Sequence, residues 1–317
     1  MEPATPLKNK LLNKVIEVPA SPLMKKIGFG TGVGVYELQR APLMSRTLSP
    51  WAVKKLLKRH RKNKDLEKRL QKEAEILRML SHPNIVGFRG FIKKPDGTSS
   101  LLMEECNSCL GDMLEGRFEN EKGPYEAKII LQVAYDLSKA LDYLHNSALL
   151  MHCDVKSHNV LVKGDFEICK LCDFGVCLPV TETGEVNITK TGDCGYDGTP
   201  CWCAPEVLIY PPEITTKADI YSFGLVIWEM IALCPPIYDD SKQFDESFHC
   251  SGSFDESDSE NQKTRLRPAL PEVQLGREYD LVLETYYCCT TVEKENRPTA
   301  TDLTILLLEA LNKQTDR

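Results

Sequence analysis

The chain has 317 residues, 42% of them hydrophobic and 27% charged, and a formal net charge of −7. That length suits roughly two domains or one two-lobed unit, and the balance excludes a wholly disordered or fibrous chain. No apolar run reaches the ~18 residues that cross a bilayer, and no basic start with an apolar core opens the chain. The acidic balance argues against a chain-wide nucleic-acid or membrane footprint. Thirteen cysteines, an odd number with no secretory leader, point to free thiols in a reducing compartment, the cytoplasm or nucleus.

Residues 1–20 are polar and Pro-punctuated and read as a disordered lead-in. Short β-type runs follow: Met24–Phe29, Val33–Gln39, Trp51–Leu56, Ile85–Ile92 and Leu101–Met103. One helical stretch, Glu67–Leu80, interrupts them, with Leu70, Ala74 and Leu77 at helix spacing. After Glu104 the pattern turns helical. Tyr125–Asn146 carries Ile129, Ile130, Val133, Ala134, Leu137, Leu141 and Leu144 on a face of period 3.6. Ala218–Leu233 is apolar nearly all round and reads as a buried helix, and Asp302–Leu311 as a last one. The fold class is α+β: a small β-rich lobe over 21–105 and a larger α-rich lobe over 106–317. The larger lobe contains an acidic, Ser-rich insertion at 239–263.

Charge is segregated. Lys54–Lys72 holds ten bases against two acids, and Asp239–Glu260 holds eight acids against one base. The acidic segment repeats Phe-Asp-Glu-Ser at 244–247 and 254–257 and is too polar to offset its ordering entropy, so it reads as a mobile surface insertion. The basic segment has three readings: a solvated loop and helix start, a nuclear-import signal, or a docking patch for an acidic partner or for the chain's own acidic insertion.

The chemistry-bearing motifs come in a fixed order. Gly28-Phe29-Gly30-Thr31-Gly32-Val33-Gly34-Val35 lies between two strands; glycines there let backbone N–H groups approach phosphate, although a plain turn also fits. Strand follows, not helix, which disfavours a dinucleotide fold and a P-loop. Lys54 in Ala52-Val53-Lys54 and Glu73 on a helix could pair to hold two phosphates, or each could be merely solvated. The strongest segment is His152-Cys153-Asp154-Val155-Lys156-Ser157-His158-Asn159, followed by Asp173-Phe174-Gly175. Asp154, Asn159 and Asp173 are oxygen ligands that suit a hydroxyl-bearing substrate and Mg2+. Ala204-Pro205-Glu206, Asp219 and Arg297-Pro298 complete the series.

This ordered set resembles the eukaryotic protein-kinase domain over about Leu23 to Leu311, and Lys170-Leu171-Cys172-Asp173-Phe174-Gly175-Val176 resembles its MAP-kinase-kinase branch. The resemblance implies the bilobal kinase fold and an ATP- and Mg2+-dependent enzyme acting on protein substrates. Gly28 and Gly30 would lie above the phosphates, with Ile27, Val35, Ala52 and Cys172 around the nucleotide. Lys54 would bind the α/β-phosphates and pair with Glu73. Met103 would be the gatekeeper, and the Glu104 and Cys106 backbones would hydrogen-bond adenine. Asp154 would orient the substrate hydroxyl and accept its proton, with Lys156 beside the γ-phosphate. Asn159 and Asp173 would hold Mg2+. Glu206 and Arg297 would form a structural ion pair. Thr199 and Lys156 imply Ser/Thr transfer, and the branch leaves dual Thr/Tyr specificity open. A mitotic, proliferative setting and MAP kinases as substrates are implied as well.

Two positions depart from the family pattern. Val33 stands at the third glycine of the loop, and Cys153 stands where most such kinases carry the Arg that pairs with a phosphorylated activation-segment residue. They motivate a second reading, a pseudokinase scaffold. Thr189, Thr191 and Tyr196 could be phosphorylated, and their basic partner is not identifiable from sequence. Thr5, Ser21 and Ser49 each precede Pro and are candidate sites for proline-directed kinases, or Pro-marked turns. A PDZ-binding tail wants an apolar terminus; Arg317 fails that test. Cys106/Cys109 and Cys169/Cys172 have metal-like spacing, but i and i+3 on a strand face opposite ways, so zinc is not expected at the second pair. Cys172 borders the nucleotide site as an inert or a reactive thiol.

Overall fold

The structure, a computed structural model, describes residues 24–30, 32–39, 50–94, 98–191, 195–236 and 267–315. The lead-in, the acidic insertion, Thr5, Ser21, Ser49 and Arg317 lie outside the described residues. Two compact units result, one ending at Glu67 and resuming over Arg89–Glu105, the other comprising Lys68–Phe88 and the chain from Cys106 onward.

The first unit is an antiparallel sheet. Its strands are β1 (Lys26–Gly30), β2 (Val33–Leu38), β3 (Trp51–Leu56), β4 (Phe88–Lys93) and β5 (Ser99–Glu104), in the order β1-β2-β3-β5-β4. Period-2 alternation puts Tyr36, Leu38 and Val53 inward, and Leu38, Val53 and Leu102 form a core capped by Met24, Trp51 and Ile92. Ile85 to Gly87 precede β4 rather than joining it, because Ile85 bridges Leu171 and Val86 N–H donates to Leu171 O instead.

Helix α1 spans Lys64–Met79. It starts three residues before the hydrophobic periodicity does. The reason is Asn63, whose Oδ1 accepts from the N–H groups of Asp65 and Leu66 at 3.0 and 3.2 Å, a side-chain cap that needs no apolar residue. Residues 68–88 group with the second unit, although the sequence reading counts them with the first. Their polar contacts explain this: the Asn84 amide donates to Cys169 O at 2.9 Å, and Ser81 N–H donates to Tyr143 Oη at 3.1 Å.

In the second unit β6 (Ser108–Cys109) leads into α2 (Leu110–Glu119), and α3 (Ala127–Asp142) continues as a π-turn to Ala148. Leu149, with φ 51°, breaks that turn in the left-handed region. Short β7 (Leu150–Met151) pairs with β10 (Leu178–Pro179), and β8 (Val160–Lys163) lies between β6 and β9 (Ile168–Leu171). A single turn, α4 (Ile188–Thr191), precedes α5 (Lys217–Ala232), α6 (Asp280–Cys289) and α7 (Ala300–Thr315). Helix α5 is buried from Ala218 to Ile231, as its all-round apolar composition requires. Among the described residues no helix is long and apolar enough to cross a membrane.

Candidate active site

In the first unit, β1 and β2 form the Gly-rich hairpin, with Gly28 opposite Val35 and Gly30 opposite Val33. Gly32 has φ 76°, and a Cβ there would run into Leu66, so the glycine displaced by one position is the residue that makes the turn. Ile27 and Val35 are half-buried in this hairpin. Register carries the hairpin into the sheet: Val35 pairs with Lys54, Lys54 with Leu101, and Ala52 with Met103. Lys54 is 7% exposed, whereas Lys55, on the other face, is half-exposed and lies over the Tyr36 ring at 4.9 Å. Ala52 and Met103 are buried, and Glu104 closes β5.

In the second unit, Glu73 is 2% exposed on the buried face of α1. Asp154 is the centre of a hydrogen-bonded group. Its Oδ1 accepts from the Thr199 hydroxyl at 2.6 Å and from Thr199 N–H at 3.1 Å. Its Oδ2 accepts from Lys156 Nζ and Asn159 Nδ2, both at 2.9 Å. Lys156 Nζ also donates to Thr199 Oγ1 at 2.6 Å. The Asn159 amide nitrogen donates twice to Asp154, the second time to its carbonyl at 2.7 Å, so Oδ1 is the atom of Asn159 that could ligate a cation. Asp173, at φ 65°, stands just beyond β9, next to Cys172, whose N–H donates to Asn159 O at 2.9 Å. Asn159 and Asp173 are thus a hard oxygen donor set on two adjacent segments, the chemistry that Mg2+ takes.

The loop bearing Asp154 is fixed from below by groups that sequence reasoning did not assign. Asp219 of α5, fully buried, accepts from His145 Nε2 at 2.9 Å, His152 N–H at 2.7 Å and Cys153 N–H at 2.9 Å. Burial alone would push its carboxyl pKa up; the bond from His145, the nearby imidazoles and the backbone donor outweigh it and hold the pKa low. His152 uses one tautomer for two tasks: Nε2–H donates to Cys172 O at 3.0 Å, and Nδ1 accepts from Asp154 N–H at 3.2 Å. Glu229 accepts from the Ser157 hydroxyl at 2.6 Å, Ser157 N–H at 3.2 Å and Trp202 Nε1 at 2.8 Å, and burial pushes its pKa up to about 7. The available signal was an acid inside an otherwise apolar helix; such a group must be paired. Arg297 and Glu206 form the ion pair expected from the motifs, bidentate at 2.6 and 2.9 Å, and Arg297 also donates to the carbonyls of Thr291, Lys217 and Val292.

The cysteines are packed in different ways. Cys153, at φ 69°, is buried, and burial raises its thiol pKa well above the usual value. Burial also pushes Cys169 up to about 12 and Cys109 up to about 11, the Cys109 thiol lying 3.3 Å from His158 O. Cys106 and Cys172 are half-exposed.

Residues 22–305 match the protein kinase domain family, and the chain belongs to it. It is a serine/threonine protein kinase that uses ATP with Mg2+. Among individual relatives, the human lymphokine-activated killer T-cell-originated protein kinase is 41% identical over 292 residues, covering 90% of this chain and 88% of that protein. Mitogen-activated protein kinase kinase kinase 3 of Arabidopsis thaliana is 31% identical over 235 residues, 74% of this chain but 32% of its own length. The probable serine/threonine-protein kinase drkB of Dictyostelium discoideum is 32% identical over 219 residues, 68% of this chain and 29% of its own.

Proposed function

We propose that this kinase transfers the γ-phosphate of ATP to Ser or Thr of protein substrates in the manner of a MAP-kinase kinase, with the residues above in the roles their motifs imply. Asp154 orients the acceptor hydroxyl and takes its proton. Lys156, bonded to both Asp154 and Thr199, stands beside the γ-phosphate. Lys54 is the cation for the α/β-phosphates and Glu73 its counter-charge. Gly28 and Gly30 cover the phosphates, Ile27, Val35, Ala52, Met103 and Cys172 line the base site, and the backbones of Glu104 and Cys106 meet adenine. Asn159 and Asp173 would hold Mg2+, which supplies charge neutralisation on the phosphates. The observation that carries the reading is the Asp154 carboxylate, with Thr199, Lys156 and Asn159 all donating to it, because phosphoryl transfer depends on positioning and charge rather than on covalent chemistry. The same reading extends to a proliferative setting, MAP kinases among the substrates, transfer to Tyr as well as Thr, control by proline-directed kinases at Thr5, Ser21 or Ser49, and residence in cytoplasm or nucleus.

The test is phosphate transfer by Lys54→Met and Asp173→Asn proteins. Each should lose nearly all activity and retain the wild-type melting temperature within a few degrees. A folded Asp173→Asn protein with wild-type turnover would sink the assignment.

A further inference from the structure

Thr199 holds Asp154 through both its backbone and its hydroxyl, so whatever fixes the segment just before Thr199 also fixes Asp154. Tyr196 is turned inward and buried. At Gly198 a Cβ would come within 2.5 Å of both Cys153 O and the Tyr196 ring, which pins the chain closely over Cys153. Asp197, between these two, faces outward. Its Oδ2 lies 3.6 Å from Arg69 Nη1 of α1, the side chains being 41% (Arg69) and 58% (Asp197) exposed.

Arg69 reaches Asp197 across the Asp173-Phe174-Gly175 turn. A Cβ on Gly175 would come within 3.1 Å of both Arg69 Cγ and Nε, so the absence of a side chain there lets the arginine stem cross. Lys72, three residues further along α1, also faces this region. Burial raises the Cys153 and Cys177 thiols, and Lys72 is close enough to oppose that in both. A cationic edge of α1 thus lies against the segment, while beneath it Cys153 is a buried, protonated thiol with no charge to offer.

We propose that the Arg69–Asp197 ion pair is a built-in positioning contact for phosphoryl transfer. It ties residues 195–199 to the helix that carries Glu73 by means of an encoded carboxylate, so the geometry at Asp154 requires no phosphorylated residue in that segment. The inference rests on the reading of Asp154 as the group that orients the acceptor hydroxyl. Arg69 and Asp197 touch no reactant; they act through Thr199.

The test compares full-length wild type, Arg69→Asp, Asp197→Arg, the double exchange and Asp197→Asn, all treated with a protein phosphatase that is then removed. The readout is steady-state transfer from ATP to an acceptor protein. Wild type should show no loss of activity that follows loss of phosphate from residues 195–199 in peptide mapping. Each single reversal should lower kcat roughly two- to fivefold with KM for ATP nearly unchanged, the range set by an exposed pair, and the double exchange should recover most of the loss. Raising salt should narrow the kcat difference between wild type and Asp197→Asn. A double exchange no better than either single reversal, a wild type whose activity falls in step with loss of phosphate from residues 195–199 in peptide mapping, or an Asp197→Asn protein with the wild-type kcat and salt dependence would each overturn the proposal. Should Arg69→Asp not fold, the shape-preserving Asp197→Asn comparison decides alone. A wild type that transfers no phosphate even before treatment would overturn the underlying reading of Asp154, and this inference with it.

Discussion

Glu229 sits fully buried with three donors on its carboxylate, one of them the backbone of Ser157 beside Lys156. Burial lifts its pKa from 4.5 to about 7, so between those values the folded state binds a proton that the unfolded chain has released. Stability therefore falls as pH rises through that window and levels off above it, by on the order of 3 kcal/mol at about 1.4 kcal/mol per pH unit. Glu229→Gln keeps a neutral group that can serve the same partners. Thermal unfolding of both proteins from pH 5 to 8 should show the Gln variant gaining on wild type as pH rises; parallel curves would remove the raised pKa. At this scale legibility was uneven. Asp154, Lys156 and Asn159, singled out because polar residues in a short fixed order carry chemistry, are hydrogen-bonded into one group. Asp219 and Glu229 were not assigned, because a single acid in an apolar helix gives no indication of which loops it will hold. Gly32 was visible as a displaced glycine, but only its φ of 76° explains the displacement.

At the scale of elements, the helices α3 and α5 were legible from periodicity and from all-round apolar composition, α5 to within one residue at each end, while the ends of α1 and α3 were not. Helix α1 begins at Lys64 because Asn63 caps it, and α3 runs on as a π-turn that no apolar spacing announces. Close packing of helices is equally silent in the sequence. Gly224 lies where α5 meets α6: a Cβ there would stand 2.8 Å from both Cys289 Cβ and Thr290 Cγ2. Helix propensity favours Ala over Gly by roughly 1 kcal/mol, whereas overpacking costs about 1–3 kcal/mol. Gly224→Ala should thus destabilise, with a lowered denaturation midpoint and an unchanged slope; a stabilised variant would show that the two helices separate freely.

Across the whole molecule, charge is divided between a basic segment at 54–72 and an acidic one at 239–260. Lys58, Arg59, Arg61 and Lys62 are exposed, on and just after a single 3-10 turn, and the acidic segment lies outside the described residues. A patch of this charge attracts an acidic partner over a Debye length of roughly 8 Å at physiological salt. Replacing those four residues by Ser should raise KM for a protein substrate that docks there, and leave KM for ATP and activity on a short neutral peptide unchanged. The substituted protein should also lose most of the salt dependence of that KM. Equal salt slopes would leave a solvated loop or an import signal as the role of this segment.

The central claim is that Asp154 and Asp173 make this chain a working protein kinase. The most direct measurement is the transfer of labelled γ-phosphate from ATP to an acceptor protein by purified wild type and Asp173→Asn, with Mg2+ present and the labelled amino acid identified. Label on Ser or Thr with wild type, and almost none with a well-folded Asp173→Asn, is the expected result. Equal labelling by the two proteins, or none by wild type, would contradict the claim.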